Sequence, residues 1–425
     1  MRPQRFELLS PAGDLERLSA ALRFGADAVY VGGPKLQLRS GSVGFTPEAL
    51  QTAAHAVHRQ GKKLYVAMNA FADNREADEA GPYARELRNL GADAVIAADL
   101  GVIAAVRRAA PELDVHVSTQ ANCLNYSAAR VYCDLGVKRV VLGREMTLDQ
   151  IRELRERVPD SLELEAFVHG AMCMSYSGRC MISAYLTGRS ANRGACTQSC
   201  RWKYHLMEET RPGEYFPVFE DERGTTLLSS FDLNCLSFLD QLMDAGVCSF
   251  KIEGRMKSPF YVATVTNAYR KRIDALLRGD ADEATLQLLE RELCAASHRP
   301  YATGFYFGEM KRHAPDDGAY LQDTVFVGAV RGAGDGRVQL ELRNRIREGD
   351  WIEILSPDSL GLRFAAREIR DAAGAPVQAA VRPGEIYSMA CECPVSPGDL
   401  LRVRVADAGE ERRVERADEF VNLSR

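Results

Sequence analysis

The sequence predicts an α/β protein in which a (β/α)8 barrel is followed by a small C-terminal β-barrel domain. Three observations lead to this fold class: a unit that recurs in the first 255 residues, about eight short apolar segments separated by amphipathic stretches, and a change of pattern near residue 323. The chain has 425 residues, of which 46% are hydrophobic and 27% charged, as expected of a folded protein with a sizeable core.

The recurring unit is a glycine followed by a short apolar run, and it marks the passage from a helix to a strand. Glycine readily adopts the left-handed conformation that ends a helix. The apolar run that follows suits a strand covered by helices on both faces of its sheet. The four copies begin at Gly25, Gly91, Gly136 and Gly246.

Eight short apolar segments are predicted to be the strands of one barrel domain, residues 1–315. Eight strands separated by helices favour a closed barrel over an open doubly wound sheet. The predicted strands are Glu7–Leu9, Ala28–Val31, Lys63–Met68, Ala94–Ala97, Asp114–Ser118, Arg139–Leu142, Glu163–Val168 and Ser249–Ile252. Predicted helices between them include Pro47–Gln60, Glu76–Leu90 and Leu148–Arg157. The connection between the last two strands is long, and residues 170–236 form a predicted insertion there.

The pattern changes after two further predicted helices, Phe260–Arg278 and Asp282–Ala296. From residue 323 to 406, short alternating segments separated by glycine and aspartate turns predict the small β-barrel. Its six predicted strands are Val325–Arg331, Arg337–Leu342, Trp351–Leu355, Arg363–Arg370, Pro376–Val381 and Leu400–Val405. The stretch Gly332–Gly336 is interpreted as a hairpin turn, because no helix that could bind a phosphate follows it.

Charge and cysteine content limit the class of protein. A net charge of −5 argues against a polycation, although a local basic face for nucleic acid remains compatible with it. No apolar segment approaches the ~20 residues of a membrane span, and no secretory signal is visible, so we expect no membrane partner and a cytoplasmic location. Eleven cysteines in that reducing compartment indicate metal binding or catalysis rather than disulfides.

Five cysteines lie close together in the sequence and predict a metal centre. Thiolates are soft ligands that suit an iron–sulfur cluster or zinc. The spacings differ from those of a zinc ribbon. A set of buried, chemically inert cysteines is the alternative interpretation. The five residues are Cys173, Cys180, Cys196, Cys200 and Cys235.

Polar residues follow several predicted strands. In a (β/α)8 barrel, the chemistry takes place at the C-terminal ends of the strands, so we expect these residues to share one mouth. His169 is equally compatible with a structural histidine. The chain lacks the H-E-x-x-H, G-x-S-x-G and Walker A motifs, which counts against the common hydrolase and nucleotide-binding sites. The mouth candidates are Gln120, Arg144, His169, Glu253 and Arg255.

The arginines among these candidates are natural partners for a carboxylate or a phosphate. Arg144 and Arg255 each present the planar, bidentate donor group that such anions prefer. Ion pairs with Glu145 or Glu253 would explain the same two arginines equally well. Arg39 is a weaker third candidate.

One stretch closely resembles a known family. Residues 165–183, which read Glu-Ala-Phe-Val-His-Gly-Ala-Met-Cys-Met-Ser-Tyr-Ser-Gly-Arg-Cys-Met-Ile-Ser, resemble the cysteine motif of the collagenase-like (U32) peptidase family. The resemblance extends over essentially the whole chain. Further similar pieces are Ser10–Gly13, Ser118–Gln120, Arg144–Glu145, Cys196–Trp202, Lys251–Arg255 and Thr303–Gly308.

The resemblance implies an activity other than the one in the family's name. Several members hydroxylate RNA or a quinone ring and carry a [4Fe–4S] cluster. The length and the appended β-domain are similar to those of members that convert the wobble uridine of tRNA to 5-hydroxyuridine with prephenate as co-substrate. By motif, the implied cluster ligands are Cys173, Cys180, Cys196 and Cys235, with Cys200 as the alternative to Cys196.

The hypothesis of tRNA hydroxylation assigns roles to the mouth residues. His169 and Glu253 would transfer protons. A small carboxylate donor such as prephenate, or an RNA phosphate, would be held by Arg144, Arg255, Gln120 and Arg39. Two other functions remain open: a collagenase-like peptidase, and a non-catalytic RNA-binding factor with a structural metal site. The sequence leaves the oligomeric state open.

Overall fold

The computed structural model describes residues 6–38, 44–173, 180, 182–189, 195–199, 219–221, 224–226, 231–308 and 320–405. The chain divides into two compact units. The first, called the barrel unit here, contains the chain up to Val262, apart from Arg23–Gly25, together with His298–Tyr320. The second, called the β-unit, contains Arg23–Gly25, Ala263–Ser297 and the chain from Leu321 onward.

A closed ring of parallel strands forms the barrel unit. Strands β1 to β7 pair in sequence order, and β11 pairs with both β7 and β1, which closes a ring of eight. All eight predicted strands lie in this ring, so the predicted barrel is confirmed. The strands are β1 (Glu7–Pro11), β2 (Ala28–Gly32), β3 (Lys63–Met68), β4 (Ala94–Ala97), β5 (Asp114–Val117), β6 (Arg139–Val141), β7 (Glu163–Ala171), β8 (Phe219–Asp221), β9 (Gly224–Thr226), β10 (Asp232–Asn234), β11 (Ser249–Ile252) and β12 (Tyr301–Ala302).

Helices follow most of the barrel strands, and polar side chains fix where they begin. Asp73 and Glu76 form a reciprocal capping box, so α3 starts two residues earlier than the pattern predicts. Thr46 caps α2 in the same way by accepting the N–H of Ala49. The helices are α1 (Leu15–Arg23), α2 (Pro47–His58), α3 (Asn74–Asn89), α4 (Leu100–Ala109), α5 (Tyr126–Asp134), α6 (Leu148–Arg157), α7 (Ile182–Thr187), α8 (Leu239–Asp244), α9 (Pro259–Arg278) and α10 (Glu283–Leu293).

Strand β7 continues beyond its predicted end. Its last residues pair antiparallel with β10, where Asn234 lies opposite His169, and β12 adds to β10 in parallel. The register between β7 and β11 shifts by one residue, since Lys251 pairs with Phe167 but Ile252 pairs with His169. Such a bulge turns the side chains that follow it, and here it lies directly before the mouth.

A buried ionic network fills part of the barrel interior. Arg139 reaches Glu165 at 3.0 Å, and Lys251 reaches the other oxygen of Glu165 at 2.8 Å. Ser249 donates to Glu7 at 2.9 Å. Burial alone would raise the pKa of Glu7, but the charge of Arg139 and several hydrogen bonds hold that pKa below its ordinary value. The interior is therefore held together by paired charges as well as by apolar packing.

The β-unit has an antiparallel sheet of six strands in the order β17–β16–β20–β13–β14–β19, with a small second sheet of β15 and β18. This half-barrel agrees with the predicted all-β C-terminal domain. Strand β19 was missed, because Ile386–Ala390 alternates weakly and buries only Tyr387 and Met389. The strands are β13 (Thr324–Gly334), β14 (Arg337–Leu342), β15 (Ile346–Arg347), β16 (Trp351–Leu355), β17 (Arg363–Ala365), β18 (Ala379–Ala380), β19 (Ile386–Ala390) and β20 (Leu400–Arg404).

The described part of the chain contains no helix with the length and apolar character that a membrane crossing requires.

Candidate active site

Three predicted residues meet where β6, β7 and β11 end. The N–H of Glu253 donates to the carbonyl oxygen of His169 at 2.9 Å. The guanidinium of Arg144 lies 3.7 Å from a carboxylate oxygen of Glu253. The structure therefore brings His169, Glu253 and Arg144 together at one edge of the barrel mouth.

Arg144 is held in place on three sides. Its guanidinium carbon lies 3.8 Å from the centroid of the Phe167 ring, a short cation–π contact. One of its nitrogens also donates to the carbonyl oxygen of Ala171 at 2.8 Å. With Glu253 as the third partner, the ion pair predicted as an alternative role is present. The side chain keeps 14% of its surface exposed, so an anion can still approach it.

The imidazole of His169 is buried among aromatic rings. The hydroxyl of Tyr301 lies 3.4 Å from Nε2, and the ring of Tyr261 lies 6.0 Å away between centroids. Burial lowers the pKa of His169 to about 3, and the neighbouring His298 lowers it further, although Asp232 opposes this. The imidazole is therefore neutral near pH 7, because burial disfavours its protonated form.

Arg255 occupies a different part of the mouth from Arg144. Its Nη1 donates to the side-chain oxygen of Gln37 at 3.0 Å, and the side chain is buried. A Cβ on Gly32 would lie 2.4 Å from that nitrogen and 2.0 Å from the Gln37 oxygen. Glycine is thus required there for the arginine and the amide to approach each other.

Of the two remaining mouth candidates, Gln120 and Arg39, the structure describes only Gln120. Gln120 lies in a short 3-10 helix, Thr119–Ala121, directly after β5. Ser118 accepts the N–H of Gln120 at 3.3 Å and so fixes the backbone of Gln120. The side chain of Gln120 is half-buried. Arg39 lies outside the described residues.

The sequence analysis missed a buried ion pair that supports His169. Arg299 donates to Asp232 from Nε at 3.0 Å and from Nη2 at 2.8 Å. This pair joins β10 to the segment that carries Tyr301. His298 stacks on Tyr301 with ring centroids 4.1 Å apart. Sequence reasoning could not find the contact between Tyr301 and His169, since no motif indicates a contact across 132 residues.

Lys251 is a second residue that the sequence analysis did not single out as functional. It lies in β11 below the mouth, with its ammonium 5.5 Å from the centroid of Phe167 and 4.6 Å from that of Tyr30. Burial lowers its pKa, while the ion pair with Glu165 opposes the shift. The Phe167 ring therefore contacts both Arg144 at the mouth and Lys251 in the interior.

Two of the four predicted cluster ligands directly follow strands that meet at this mouth. Cys173 is exposed just after β7, and Cys235 is fully buried just after β10. The N–H of Cys235 donates to the carbonyl oxygen of Val168, five residues before Cys173. With the chain extended at ~3.3 Å per residue, five residues separate the backbones of those two cysteines by roughly 17 Å. Burial raises the pKa of the Cys235 thiol well above its ordinary value.

Cys196 has the surroundings of a thiolate ligand. Its sulfur accepts the N–H of Gln198 at 3.4 Å and the hydroxyl of Ser183 at 3.8 Å. Hydrogen bonds to sulfur are a normal feature of iron–sulfur sites. Cys180 precedes α7, which carries Ser183. Cys200 lies outside the described residues.

The donor types thus fit a thiolate-bound cluster, but their positions do not form one. Within the described residues, no three cysteine, histidine or acidic side chains are placed so that they could hold a metal ion. Around one cluster the sulfurs would have to converge, which requires Cys173 and Cys235 to approach each other.

Comparison with known proteins places the chain in a family. The model of peptidase family U32 matches residues 13–315, and that of its C-terminal domain matches residues 322–402. The chain belongs to peptidase family U32. Among curated relatives of this U32 protein, tRNA hydroxylation protein P of Escherichia coli (strain K12) is 35% identical, over 90% of this chain and 92% of the relative. The tRNA hydroxylation protein P1 of Bacillus subtilis (strain 168) is 37% identical, over 93% and 94%.

A relative with another named activity also matches. A collagenase of Porphyromonas gingivalis (strain ATCC BAA-308 / W83) is 34% identical, over 87% of this chain and 91% of the relative. Family membership alone therefore does not choose between RNA hydroxylation and proteolysis, and the choice depends on the site.

Proposed function

We propose that this U32 protein hydroxylates the wobble uridine of tRNA to 5-hydroxyuridine, with prephenate as co-substrate. The relatives named for tRNA hydroxylation support the reaction class. The observation that carries the proposal is the mouth itself, where Arg144 lies beside Glu253 and the N–H of Glu253 binds the backbone of His169, whose buried imidazole is neutral. A cation and a carboxylate at one edge, with a neutral histidine on the adjoining strand, suit a small acid and a proton transfer better than they suit peptide hydrolysis.

We assign Arg144 and Arg255 the role of binding the carboxylates of prephenate, the proposed donor. Prephenate carries two carboxylates, and Arg144 and Arg255 lie in separate parts of the mouth, each held by protein partners that fix its geometry. Such preorganised guanidinium groups bind carboxylates without a large loss of side-chain entropy. Gln120 and Arg39 complete the proposed binding set.

His169 and Glu253 are assigned to proton transfer. The neutral imidazole lies next to the Tyr301 hydroxyl, so it can pass a proton on at a fixed position without retaining it. Glu253 presents a carboxylate beside Arg144. Arg144 orients Glu253 as well as contacting the donor. The buried pair of Asp232 and Arg299 holds the tyrosine segment in place.

A [4Fe–4S] cluster bound by Cys173, Cys180, Cys196 and Cys235 is the proposed cofactor. Such a cluster supplies one-electron chemistry when bound. The hydrogen bonds at Cys196 support its role as a ligand. An anaerobic absorption spectrum with iron and sulfide analysis tests the cofactor. A broad band near ~400 nm with iron supports it, whereas zinc alone indicates a structural site.

Nucleoside analysis tests the reaction. In a strain that lacks this gene and any paralogue, we expect 5-hydroxyuridine derivatives to disappear from tRNA. The wild-type gene should restore them, and Arg144→Met should not. Arg152→Met is the matched control, because Arg152 lies on α6 with 41% of its side chain exposed. Unchanged nucleosides in the deletion strain would refute the proposal.

Proteolysis is the second candidate, favoured by the collagenase relative. It predicts that the pure protein cleaves denatured collagen, and that one substitution outside the cysteine set abolishes the cleavage. A third candidate is a non-catalytic RNA-binding factor with a structural metal site. It predicts normal tRNA hydroxylation by the Arg144→Met variant, which the nucleoside analysis also reads out.

A further inference from the structure

A tryptophan lies on the surface at the edge of the β-unit sheet. Trp351 begins β16 and is 45% exposed, whereas the alternate residues Ile352 and Ile354 point into the core of the half-barrel. The guanidinium carbon of Arg363, on the neighbouring edge strand β17, lies 5.0 Å from the centroid of the indole. The indole therefore lies outside the hydrophobic core, and the guanidinium of Arg363 stacks on it.

The strand register indicates a second arginine near the same indole. Trp351 pairs with Ala365. The pairing continues by one residue, because the N–H of Ala366 donates to the backbone carbonyl oxygen of Asp350 at 2.8 Å. Arg363 and Arg367 lie two residues before and after Ala365, and both are exposed. Residues two apart along a strand share a face, so Arg363 lies diagonally across from Trp351. Arg367 lies two residues beyond the end of β17, directly after the residue that still hydrogen-bonds to the backbone of Asp350.

The carboxylate opposite Arg363, that of Glu353, forms its ion pairs with two other arginines. Glu353 is the direct cross-strand partner of Arg363. One oxygen of Glu353 accepts from Arg402 at 2.9 Å, and the other accepts from Arg404 at 2.6 Å. Since these two arginines already hold both oxygens of Glu353, that carboxylate does not draw the Arg363 guanidinium away from the indole.

We propose that Trp351, Arg363 and Arg367 form a platform for an unpaired stretch of the RNA substrate. One base would stack on the exposed face of the indole, and the guanidinium groups would receive the phosphates on either side. An aromatic ring between cations on a sheet is how proteins commonly bind single-stranded RNA. The platform rests on the proposed function, since it assumes an RNA substrate.

The composition of the chain makes the stacking directly measurable. The sequence contains two tryptophans, so Trp202→Phe leaves Trp351 as the single indole. Titrating this full-length variant with a ten-nucleotide oligouridine should quench its tryptophan fluorescence and saturate. Trp351→Ala should weaken oligouridine binding by roughly 5- to 150-fold, the range for one lost base stack.

Matched variants separate stacking from folding. Trp351→Phe keeps an aromatic face and should retain most of the affinity. Arg363→Ala and Arg367→Ala should each weaken binding and reduce its salt dependence, because each removes a phosphate contact. Arg331→Ala is the control, since Arg331 is an exposed arginine of the same sheet that pairs with Glu341. It should bind oligouridine like the wild type.

The outcomes also distinguish the platform from the proposed reaction. Absent quenching, or equal affinity of the wild type and Trp351→Ala, overturns the platform even if the deletion strain loses 5-hydroxyuridine. Saturable quenching with unchanged nucleosides in the deletion strain keeps the platform and refutes the reaction. If Trp351→Ala loses a protein partner while its oligouridine affinity is unchanged, the surface binds protein and the proposal is wrong.

Discussion

The guanidinium of Arg144 and the ring of Phe167 are stacked 3.8 Å apart at the end of the barrel. Phe167 belongs to β7, the strand that also carries His169, so the stack fixes the arginine relative to the imidazole. Lysine cannot reproduce this planar contact together with the hydrogen bond to Ala171.

Arg144→Lys should therefore weaken binding of the carboxylate donor while leaving the fold intact. Loss of a charged hydrogen bond corresponds to roughly a 10- to 100-fold rise in KM for prephenate. Steady-state kinetics with purified protein checks this, with Arg152→Lys as the control on the exposed face of α6. A KM equal to that of the wild type would remove Arg144 from the binding site.

Gly32→Ala should disturb the other arginine. The new Cβ would meet both the Gln37 oxygen and Nη1 of Arg255 at less than 2.5 Å, so their hydrogen bond must break. We expect donor binding to fall by roughly 10- to 100-fold. Gly334→Ala is the control, because a Cβ there meets nothing within 4 Å. Isothermal titration with prephenate that shows equal affinity for both variants would exclude Arg255.

The stability of the protein should fall as the pH drops below about 6.5. His169 has a pKa of about 3 in the folded state, whereas an unfolded histidine titrates near 6.5. Between these values the unfolded chain binds the proton and the folded chain does not, so acid favours unfolding by up to ~1.4 kcal/mol per pH unit for this residue. Burial lowers the pKa of His116 as well, which acts in the same direction.

Urea denaturation at several pH values measures this slope. His169→Gln removes one group with a strongly lowered pKa and should flatten the dependence between pH 6.5 and 4. His55→Gln is the control, because His55 lies on the exposed face of α2. A slope that His169→Gln leaves unchanged would mean that His169 titrates normally in the folded protein.

Breaking the pair of Asp232 and Arg299 should destabilise the barrel unit strongly. Each side chain is only 3% exposed, so Asp232→Leu alone leaves a buried, unpaired guanidinium and should cost about 3–5 kcal/mol. The double variant with Arg299→Met buries no charge and should recover most of that loss. Thermal unfolding of the two single variants and the double variant completes the cycle. Additive losses would show that the two residues do not interact.

Single serine substitutions should resolve the ligand set of the proposed cluster. We expect Cys173→Ser, Cys180→Ser and Cys235→Ser each to lower the iron bound per chain. Cys196→Ser and Cys200→Ser are compared directly, and only the true ligand should lower it. Cys133→Ser, on α5, is the control. Iron content that none of these substitutions changes would place the metal elsewhere.

The barrel was predictable because each strand is a short apolar run, and four of the eight follow a helix-ending glycine such as Gly91 or Gly136. Strands β10 and β12 could not be predicted, since they are only three and two residues long. They form because β7 extends far enough to pair with β10, which in turn pairs with β12. In the same way, His169 could be found from its position after a strand. Its partner Tyr301 could not, because their contact depends on how the completed barrel brings distant segments together. The cysteines could be identified as donors by type, but their positions depend on the register of β7 and β10.

The one-residue bulge between Phe167 and His169 lies where β7 gains a second partner strand. Glu165 and Phe167 pair within the barrel, whereas His169 lies opposite both Ile252 of β11 and Asn234 of β10. Two strands therefore fix the backbone of His169 at once, one from the barrel and one that leads directly to Cys235. The cysteine segment and the mouth histidine thus share one backbone support.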